Sequence, residues 1–319
     1  MGCFDELKIH LIERDRSLFV PKGGLNLEDF VDKWDSKICN FKDYCGEYYI
    51  KPERFGIDGE SVYKKKQMAG EIPAEIILAY AYNLLGLPSP IAYPYFMKSH
   101  LPGYILNHDA WKNSTLVPTG VVTRDVREVF PTAVHRMDRD CHTIKGLFTS
   151  DNCSDIAPTG KMDKVKDTIA SIAFNDKDSG YDNSYWLRDS AGNHTGVVPI
   201  DHGYSGRDSM YLRPYDKFYQ GLYMVGEHGY NGMFCPDEDR GTTMYFLKKL
   251  LAGEEVCGVK FSDNQIKELN RFIHQIKQLS FDKIADAYND RYNYKVSPKY
   301  LESLKWSRDD LCGNLLERV

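Results

Sequence analysis

The sequence predicts a two-lobed α+β fold, with a small β-rich N-terminal lobe around one buried helix and a larger, mainly helical C-terminal lobe. Short apolar and aromatic runs separated by Gly and Pro are confined to about residues 38–110. One long apolar segment interrupts these runs, and helical periodicity dominates after about residue 120. We therefore expect lobes at residues 1–115 and 116–319, with a cleft between them that holds the functional site.

The N-terminal lobe is expected to contain short strands and a single helix. The candidate strands are Tyr48–Ile50, Ser61–Tyr63, Ile91–Tyr93 and Tyr104–Leu106. The helix has Pro73 in its first turn, where a proline ring is tolerated, and it ends before Gly86 and Pro88. Because this helix is apolar nearly all round, we expect it to be buried.

The C-terminal lobe is expected to consist mainly of helices. One helix is indicated by Val165, Ile169, Ile172 and Ala173, which share one helical face, and it ends near Asn175. A second helix is capped by Ser262 or Asp263. Weaker helical patterns cover residues 243–252, 281–290 and 297–311, and a hairpin is expected between Asn183 and the apolar strand that ends at Asp201.

The composition narrows the class of protein. The chain has 319 residues, 42% of them hydrophobic, and its 41 basic and 46 acidic residues leave a net charge of −5, which disfavours a nucleic-acid partner. The longest apolar stretch, Ile76–Leu87, is too short to span a membrane and contains Asn83. No basic and apolar leader opens the sequence, so we expect a cytoplasmic protein without a transmembrane segment.

The cysteines do not form a recognisable metal or disulfide framework. Eight are scattered through the chain without a Cys-x-x-Cys pair or a histidine at zinc-ligand spacing. In a long chain without a secretory signal, such residues are expected to be reduced and mostly buried thiols.

Polar residues with the spacing of a phosphoryl-transfer site surround the expected hairpin. Asp178 and Asn183 are five residues apart, and Asp201 ends an apolar strand eighteen residues after Asn183. Phosphoryl transfer requires an acidic group to orient the attacking hydroxyl, together with oxygen ligands that hold Mg²⁺ against the nucleotide phosphates. The three side chains supply both kinds of group.

These segments resemble the protein kinase-like superfamily, and in particular its HipA-like and phosphatidylinositol 3/4-kinase-like branches. Ile200-Asp201-His202-Gly203 resembles the metal-binding Asp-x-Gly motif, and Asp178–Asn183 resembles the lipid-kinase-like catalytic loop. The resemblance implies that Asp178 is catalytic and that Asn183 and Asp201 bind Mg²⁺ or Mn²⁺. Those loops usually have a basic residue and a histidine after the catalytic Asp, whereas this chain has Ser179 and Gly180.

The N-terminal half contains candidates for the lysine and glutamate that such kinases pair. Tyr49-Ile50-Lys51-Pro52 resembles the strand motif of the HipA-like branch, which implies that Lys51 contacts the ATP phosphates. Glu75 stands ten residues before Leu85–Pro90, which resembles the helix-end signature of that branch. Glu71 is the alternative glutamate, and Lys64 is the alternative lysine.

Two features of the N-terminal half leave alternatives open. No Gly-x-Gly-x-x-Gly motif occurs, so the loop that covers the phosphates is expected at residues 41–46 or around Gly23 and Gly24. The run Lys64–Lys66 is either a solvated strand edge or an anion site. Some kinase-like effectors of intracellular pathogens are activated by a host inositol polyphosphate, and the resemblance therefore adds inositol hexakisphosphate as a candidate activator.

The resemblance implies an atypical ATP-dependent kinase, and a protein Ser/Thr hydroxyl is the first choice of acceptor. A secreted bacterial effector that acts in the host cytosol fits this interpretation. Three alternatives stay open: a phosphoinositide or small-molecule kinase, a pseudokinase that acts as a binding module, and a kinase fold that catalyses another nucleotidyl transfer.

Overall fold

A computed structural model describes residues 43–45, 48–52, 71–90, 92–95, 120–124, 126–136, 138–174, 176, 183–202, 243–292, 296 and 298–316. These residues form two small antiparallel sheets and a larger set of helices, which is an α+β arrangement.

The first sheet lies in the N-terminal part of the chain. Its strands are β1 (Asp43–Cys45), β2 (Tyr48–Pro52), β3 (Ala92–Tyr95) and β4 (Gly120–Arg124), in the order β1-β2-β4-β3. All neighbouring strands are antiparallel. Because β4 pairs with both β2 and β3, this sheet extends past the boundary that the sequence suggested at residue 115.

Helix α1 (Glu71–Leu84) packs against β3 and β4. Its side chains from Ala74 to Tyr82 are buried, as the apolar sequence predicted. The helix ends where Gly86 adopts a positive φ of 78°, a conformation that glycine reaches without strain. The predicted helix, with Pro73 in its first turn, is confirmed.

The second sheet contains the predicted hairpin. Its strands are β5 (Ala133–His135), β6 (Ser184–Arg188) and β7 (His194–Pro199), and β6 is the central strand. Two short helices, α2 (Val126–Val129) and α3 (Ile144–Thr149), flank β5 in sequence. Helix α4 (Pro158–Ala173) packs on β7 and buries Val165, Ile169 and Ile172, as its periodicity predicted.

The C-terminal part consists of α5 (Thr243–Leu251), α6 (Asp263–Gln278), α7 (Phe281–Tyr292) and α8 (Pro298–Leu316). Ser262 caps α6 through a reciprocal capping box with Gln265, which resolves the choice between Ser262 and Asp263. Helix α8 contacts α4, α5, α6 and α7, so it lies at the centre of this helical region. All four predicted helical patterns are confirmed.

Two expected strands lie outside the described residues, and the expectation for the cysteines is wrong. The strands expected at Ser61–Tyr63 and Tyr104–Leu106 lie outside them. The expectation of reduced thiols fails for Cys141 and Cys153, which form a disulfide between two short 3₁₀ helices, Arg139–His142 and Asp151–Cys153. In the part of the chain that the structure describes, no helix is both long enough and apolar enough to cross a membrane.

Candidate functional site

Asn183 and Asp201 lie at the same end of the β6–β7 hairpin. Ser184 pairs with Pro199 at the last register position, and the Ile200 N–H donates to the Asn183 carbonyl at 3.0 Å. Asp201 directly follows this bond, so eighteen residues of separation in sequence become a short separation in space. The hairpin therefore brings the backbones of these two residues, which the sequence assigned to a metal ion, close together.

Asp201 has an unusual backbone conformation. Its φ is 59°, which lies in the left-handed region that L-residues other than Asn and Asp rarely adopt. Such a residue persists only where the surrounding contacts determine its conformation, and residues of this kind cluster at functional sites. The next residue, His202, is held from several sides.

Glu75 connects helix α1 to this segment. Its carboxylate oxygen Oε2 accepts the backbone N–H of His202 at 2.9 Å, and the Glu75 side chain is buried. The two residues are 127 positions apart in sequence. Glu75, which the sequence predicted to pair with a lysine, thus contacts the backbone beside Asp201.

The His202 imidazole is hydrogen-bonded through both of its nitrogens. Nδ1 lies 3.0 Å from Asp176 Oδ2, and Nε2 lies 3.1 Å from Ser89 Oγ. When Asp176 is ionised its oxygen can only accept, so Nδ1 donates and Nε2 of the neutral ring accepts from Ser89. The ring also stacks on Tyr82, with centroids 4.5 Å apart and an interplanar angle of 18°.

This order of contacts matches that of Ser-His-Asp hydrolases, in which serine, imidazole and carboxylate are connected in series. A hydrolase nucleophile must be reached by its substrate. Ser89, Asp176 and His202 are only 3%, 1% and 2% exposed, and Ser89 lies between Pro88 and Pro90. In this conformation no substrate carbonyl reaches Ser89, so the geometry favours a structural connection over nucleophilic catalysis.

The pairing of β2 locates Lys51 relative to the rest of the sheet. Lys51 pairs with Val121 and Tyr49 pairs with Thr123, which in turn pairs with Ala92. Lys51 therefore lies in the same sheet as Ala92, which is buried in the core cluster that contains the α1 side chains.

Two predicted site residues, Asp178 and Lys64, lie outside the described residues. Glu71, the alternative glutamate, is the first residue of α1. Of the two candidate regions for the phosphate-covering loop, residues 41–46 include β1, which forms a hairpin with the Lys51 strand, and Gly23 and Gly24 lie outside the described part.

Sequence reasoning missed the roles of Ser89 and Asp176, and it treated His202 only as the middle residue of Asp-x-Gly. Asp176 lies two residues before Asp178, in a loop rich in Asp and Asn, where a single buried carboxylate has no distinguishing pattern. Ser89 lies in the quoted Leu85–Pro90 segment, but nothing local to that segment indicates a partner 113 residues away.

The donor set at the hairpin end fits a hard divalent cation. Asn183 and Asp201 offer amide and carboxylate oxygens, the ligands that Mg²⁺ and Mn²⁺ prefer. Within the described ranges, no group of three or more His, Cys, Asp or Glu side chains is arranged to hold a metal ion. An ion held by Asn183 and Asp201 would therefore take its remaining ligands from a nucleotide, from water or from residues outside those ranges.

A second buried histidine supports the same end of the hairpin. His142 Nε2 lies 2.8 Å from the Arg136 carbonyl, to which it donates, and Nδ1 lies 3.4 Å from Ser184 Oγ in the first residue of β6. Burial, and after it the positive charge of Lys164, lowers the pKa of His142 to about 3. His142 is thus neutral at physiological pH, and it contacts the strand that begins after Asn183.

The chain is similar to known proteins in structure only. No family model matches the chain, and no curated protein matches it. Among solved structures, the crystal structure of a Helicobacter pylori proinflammatory kinase, CtkA, is similar over 87% of this chain and 89% of that chain, with 16% sequence identity and a TM-score of 0.44.

Proposed function

We propose that this chain is an atypical ATP-dependent phosphotransferase that uses Mg²⁺ or Mn²⁺. The observation that carries the proposal is the hydrogen bond between Glu75 and the His202 N–H, which joins the buried N-terminal helix to the Asp201-His202-Gly203 segment. A kinase-like site needs this convergence of helix glutamate and metal-binding aspartate. It arises here from residues 127 positions apart in the chain.

Each candidate residue has a role in this proposal. Asp178 orients the acceptor hydroxyl and takes its proton, and Asn183 and Asp201 hold the metal ion. Lys51 contacts the ATP phosphates, with Lys64 as the alternative, and Glu75 fixes both the lysine and the backbone beside Asp201. The bound cation would neutralise negative charge on the phosphates.

The proposed acceptor is a protein Ser/Thr hydroxyl, in line with the resemblance to the HipA-like branch. The resemblance to phosphatidylinositol 3/4-kinases makes an inositol lipid the second candidate, and small-molecule kinases use the same Asp-x4-Asn arrangement. Ser179 and Gly180, which depart from the usual catalytic loop, are the reason to keep a pseudokinase and other nucleotidyl transfer as alternatives.

The proposed setting is the cytoplasm, including a host cytosol if the chain is a secreted effector, with inositol hexakisphosphate as a candidate activator at Lys64–Lys66. The Cys141–Cys153 disulfide is uncommon in such a compartment, where thiols are kept reduced. Calorimetry that detects no binding of inositol hexakisphosphate would remove the activator from the proposal.

The test of the acceptor uses ATP labelled on the γ-phosphate. The protein is incubated with Mg²⁺ or Mn²⁺ and either a cell extract or phosphoinositide vesicles, and Asp201→Ala serves as the inactive control. We expect label on protein serine or threonine that requires Asp201. Label in the lipid alone would show that the acceptor is an inositol lipid. In a parallel incubation with ATP labelled on the α-phosphate, transfer of that label would show nucleotidyl transfer in place of phosphoryl transfer.

A further inference from the structure

His202 is connected to four residues from three segments of the chain, although it contributes no oxygen to the proposed metal site. Its backbone N–H bonds to Glu75 of α1, its ring stacks on Tyr82, and its two ring nitrogens bond to Asp176 and Ser89. A buried residue whose backbone N–H and both ring nitrogens are hydrogen-bonded has one well-defined position.

That position determines the conformation of Asp201. The left-handed conformation of Asp201, with φ 59°, is sparsely populated, and the residue relaxes from it unless its neighbours are held. On one side, the Ile200 N–H is bonded to the Asn183 carbonyl. On the other side, His202 is held by its bonds to Glu75, Asp176 and Ser89, so Asp201 is fixed between two anchored residues.

The contact with Asp176 also connects the end of β7 to the segment that follows α4. Asp176 is 1% exposed, and among the described residues its second oxygen, Oδ1, has no hydrogen-bond partner. Leaving a buried carboxylate oxygen without a partner costs free energy, so the Nδ1 bond is the contact that holds this side chain. Through it, Asp176 and His202, which lies two positions after Ile200, are held together.

We propose that His202 is a positioning residue that holds Asp201 in its left-handed conformation, and thereby the cation that Asp201 binds, through its bonds to Asp176, Ser89 and Glu75. This inference rests on the proposed function, because it assumes that Asp201 is a ligand of the ATP-bound metal. The relevant substrate is the complex of a divalent cation with a nucleoside triphosphate.

The test measures binding, so it does not depend on turnover. Water-proton relaxation reports formation of the ternary complex of protein, Mn²⁺ and the β,γ-imido analogue of ATP. His202→Leu removes both ring nitrogens and leaves the backbone N–H that Glu75 accepts. We expect it to weaken binding of the Mn²⁺ complex at least tenfold.

A matched control lies at the opposite end of the same hairpin. His194 in β7 is also a buried histidine, 1% exposed, with its Nε2 3.4 Å from Asp155. His194→Leu therefore makes the same chemical change at similar burial, but far along the strand from Asp201. We expect binding within threefold of wild type for this variant, even if it lowers stability.

Two conservative variants distinguish the Nδ1 bond to Asp176 from the Nε2 bond to Ser89. They also replace His202→Leu in the test if that variant does not fold. His202→Asn places an amide nitrogen near the position of Nδ1, where it can donate to Asp176. His202→Gln places its amide near Nε2, towards Ser89, and loses the Asp176 bond. We expect His202→Asn to recover most of the binding and His202→Gln to recover less.

Several results would overturn the inference. Binding by folded His202→Leu that equals wild type would do so, as would equal weakening in His202→Leu and His194→Leu, or recovery by Gln but not by Asn. Labelling of Ser89 in the wild-type protein by a fluorophosphonate would assign the cluster to acyl transfer instead. If the wild type itself does not bind the Mn²⁺ complex, the proposed function fails, and this inference fails with it.

Discussion

The two ends of the β6–β7 hairpin contain the same types of residue and differ in where the contacts of those residues come from. At the turn, Asp189 accepts the N–H groups of Ala191 and Asn193 at 2.9 Å and the Asn193 side-chain amide at 3.1 Å. At the other end, the Asp201-His202 pair is held by residues from α1, from the loop after it and from the segment after α4. The contacts of the turn are local, whereas those of the Asp201-His202 pair come from three distant segments.

A simple alternative explanation for the spacing of Asp178, Asn183 and Asp201 is that these residues only hold turns. Asp and Asn are common in loops because their side chains hold turns. Asp189 is such a residue, since its bonds reach no more than four positions along the chain and it is fully exposed. The bond between Glu75 and His202 spans 127 positions and is buried, so turn formation does not explain it.

The largest expected effect is the difference in transfer rate between variants of Asp201 and of Asp189. Asp201→Ala removes a proposed metal ligand, and we expect phosphate transfer to fall by about 1,000-fold or more, which corresponds to about 4 kcal/mol. Asp189→Ala removes only turn contacts, and its transfer rate is expected to stay within about threefold of wild type. Initial rates with γ-labelled ATP, on variants shown to be folded by circular dichroism, measure both. Equal losses in the two variants would remove the functional distinction between the hairpin ends.

The next effect extends the comparison to the N-terminal sheet. Lys51→Met removes the proposed phosphate contact, and we expect kcat/KM for ATP to fall by about 100-fold, or about 2.7 kcal/mol. Lys64→Met is the matched control and is expected to remain near wild type. A large loss for Lys64→Met with little for Lys51→Met would transfer the nucleotide contact to Lys64.

A third effect concerns the segments beside the turn end. The disulfide between Cys141 and Cys153 closes a loop of 12 residues, and His194 bonds through its backbone to Asp155 and Ala157, just after this loop. We expect Cys141→Ala/Cys153→Ala to lower the free energy of unfolding by about 2–3 kcal/mol in urea denaturation. The transfer rate of the folded variant should not change. Alkylation of both thiols in the unreduced wild type would contradict the disulfide.

The smallest expected effect is a pH dependence of stability that arises from His142, near the Asp201 end of the hairpin. The pKa of His142 is lowered from 6.5 to about 3 in the folded chain, so between these values the unfolded chain binds a proton that the folded chain does not. Stability is therefore lost as the pH falls through this window, by about 2 kcal/mol between pH 6.5 and 5. His142→Gln, which retains a donor for the Arg136 carbonyl, should reduce this slope.

The control for the pH prediction is His274→Gln, which changes an exposed histidine on α6. Urea denaturation at several pH values from 7 to 5 should give it the same slope as wild type. An unchanged slope in His142→Gln would show that other groups cause the acid sensitivity.

The sequence predicted the fold where its signals are local. The periodicity of Val165, Ile169 and Ile172 located α4, and Ser262 located the start of α6, because both signals arise within one or two helical turns. The sequence missed β4, which lies between β2 and β3 in the sheet, because pairing between strands 70 residues apart leaves no mark within either strand.

The site was predictable in part for the same reason. The residue types and spacings identified Asn183, Asp201 and Glu75 as candidates, and the hairpin that joins the first two was expected. The partners of His202 could not be predicted, because Ser89 and Asp176 are ordinary loop residues until the fold brings them within hydrogen-bonding distance. The Cys141–Cys153 pairing was missed because spacing alone does not determine which thiols meet.

The most direct test of the central claim is the intact mass of the wild-type protein after incubation with Mn²⁺ and ATP, alone and with cell extract, beside Asp201→Ala. The account predicts phosphate-sized increments on the wild-type chain or on an acceptor protein, and none with Asp201→Ala. AMP-sized increments would contradict phosphoryl transfer while keeping the nucleotide site. Absence of any increment under all conditions, together with absence of binding of the Mn²⁺ complex, would contradict the assignment of this hairpin end as a phosphotransferase site.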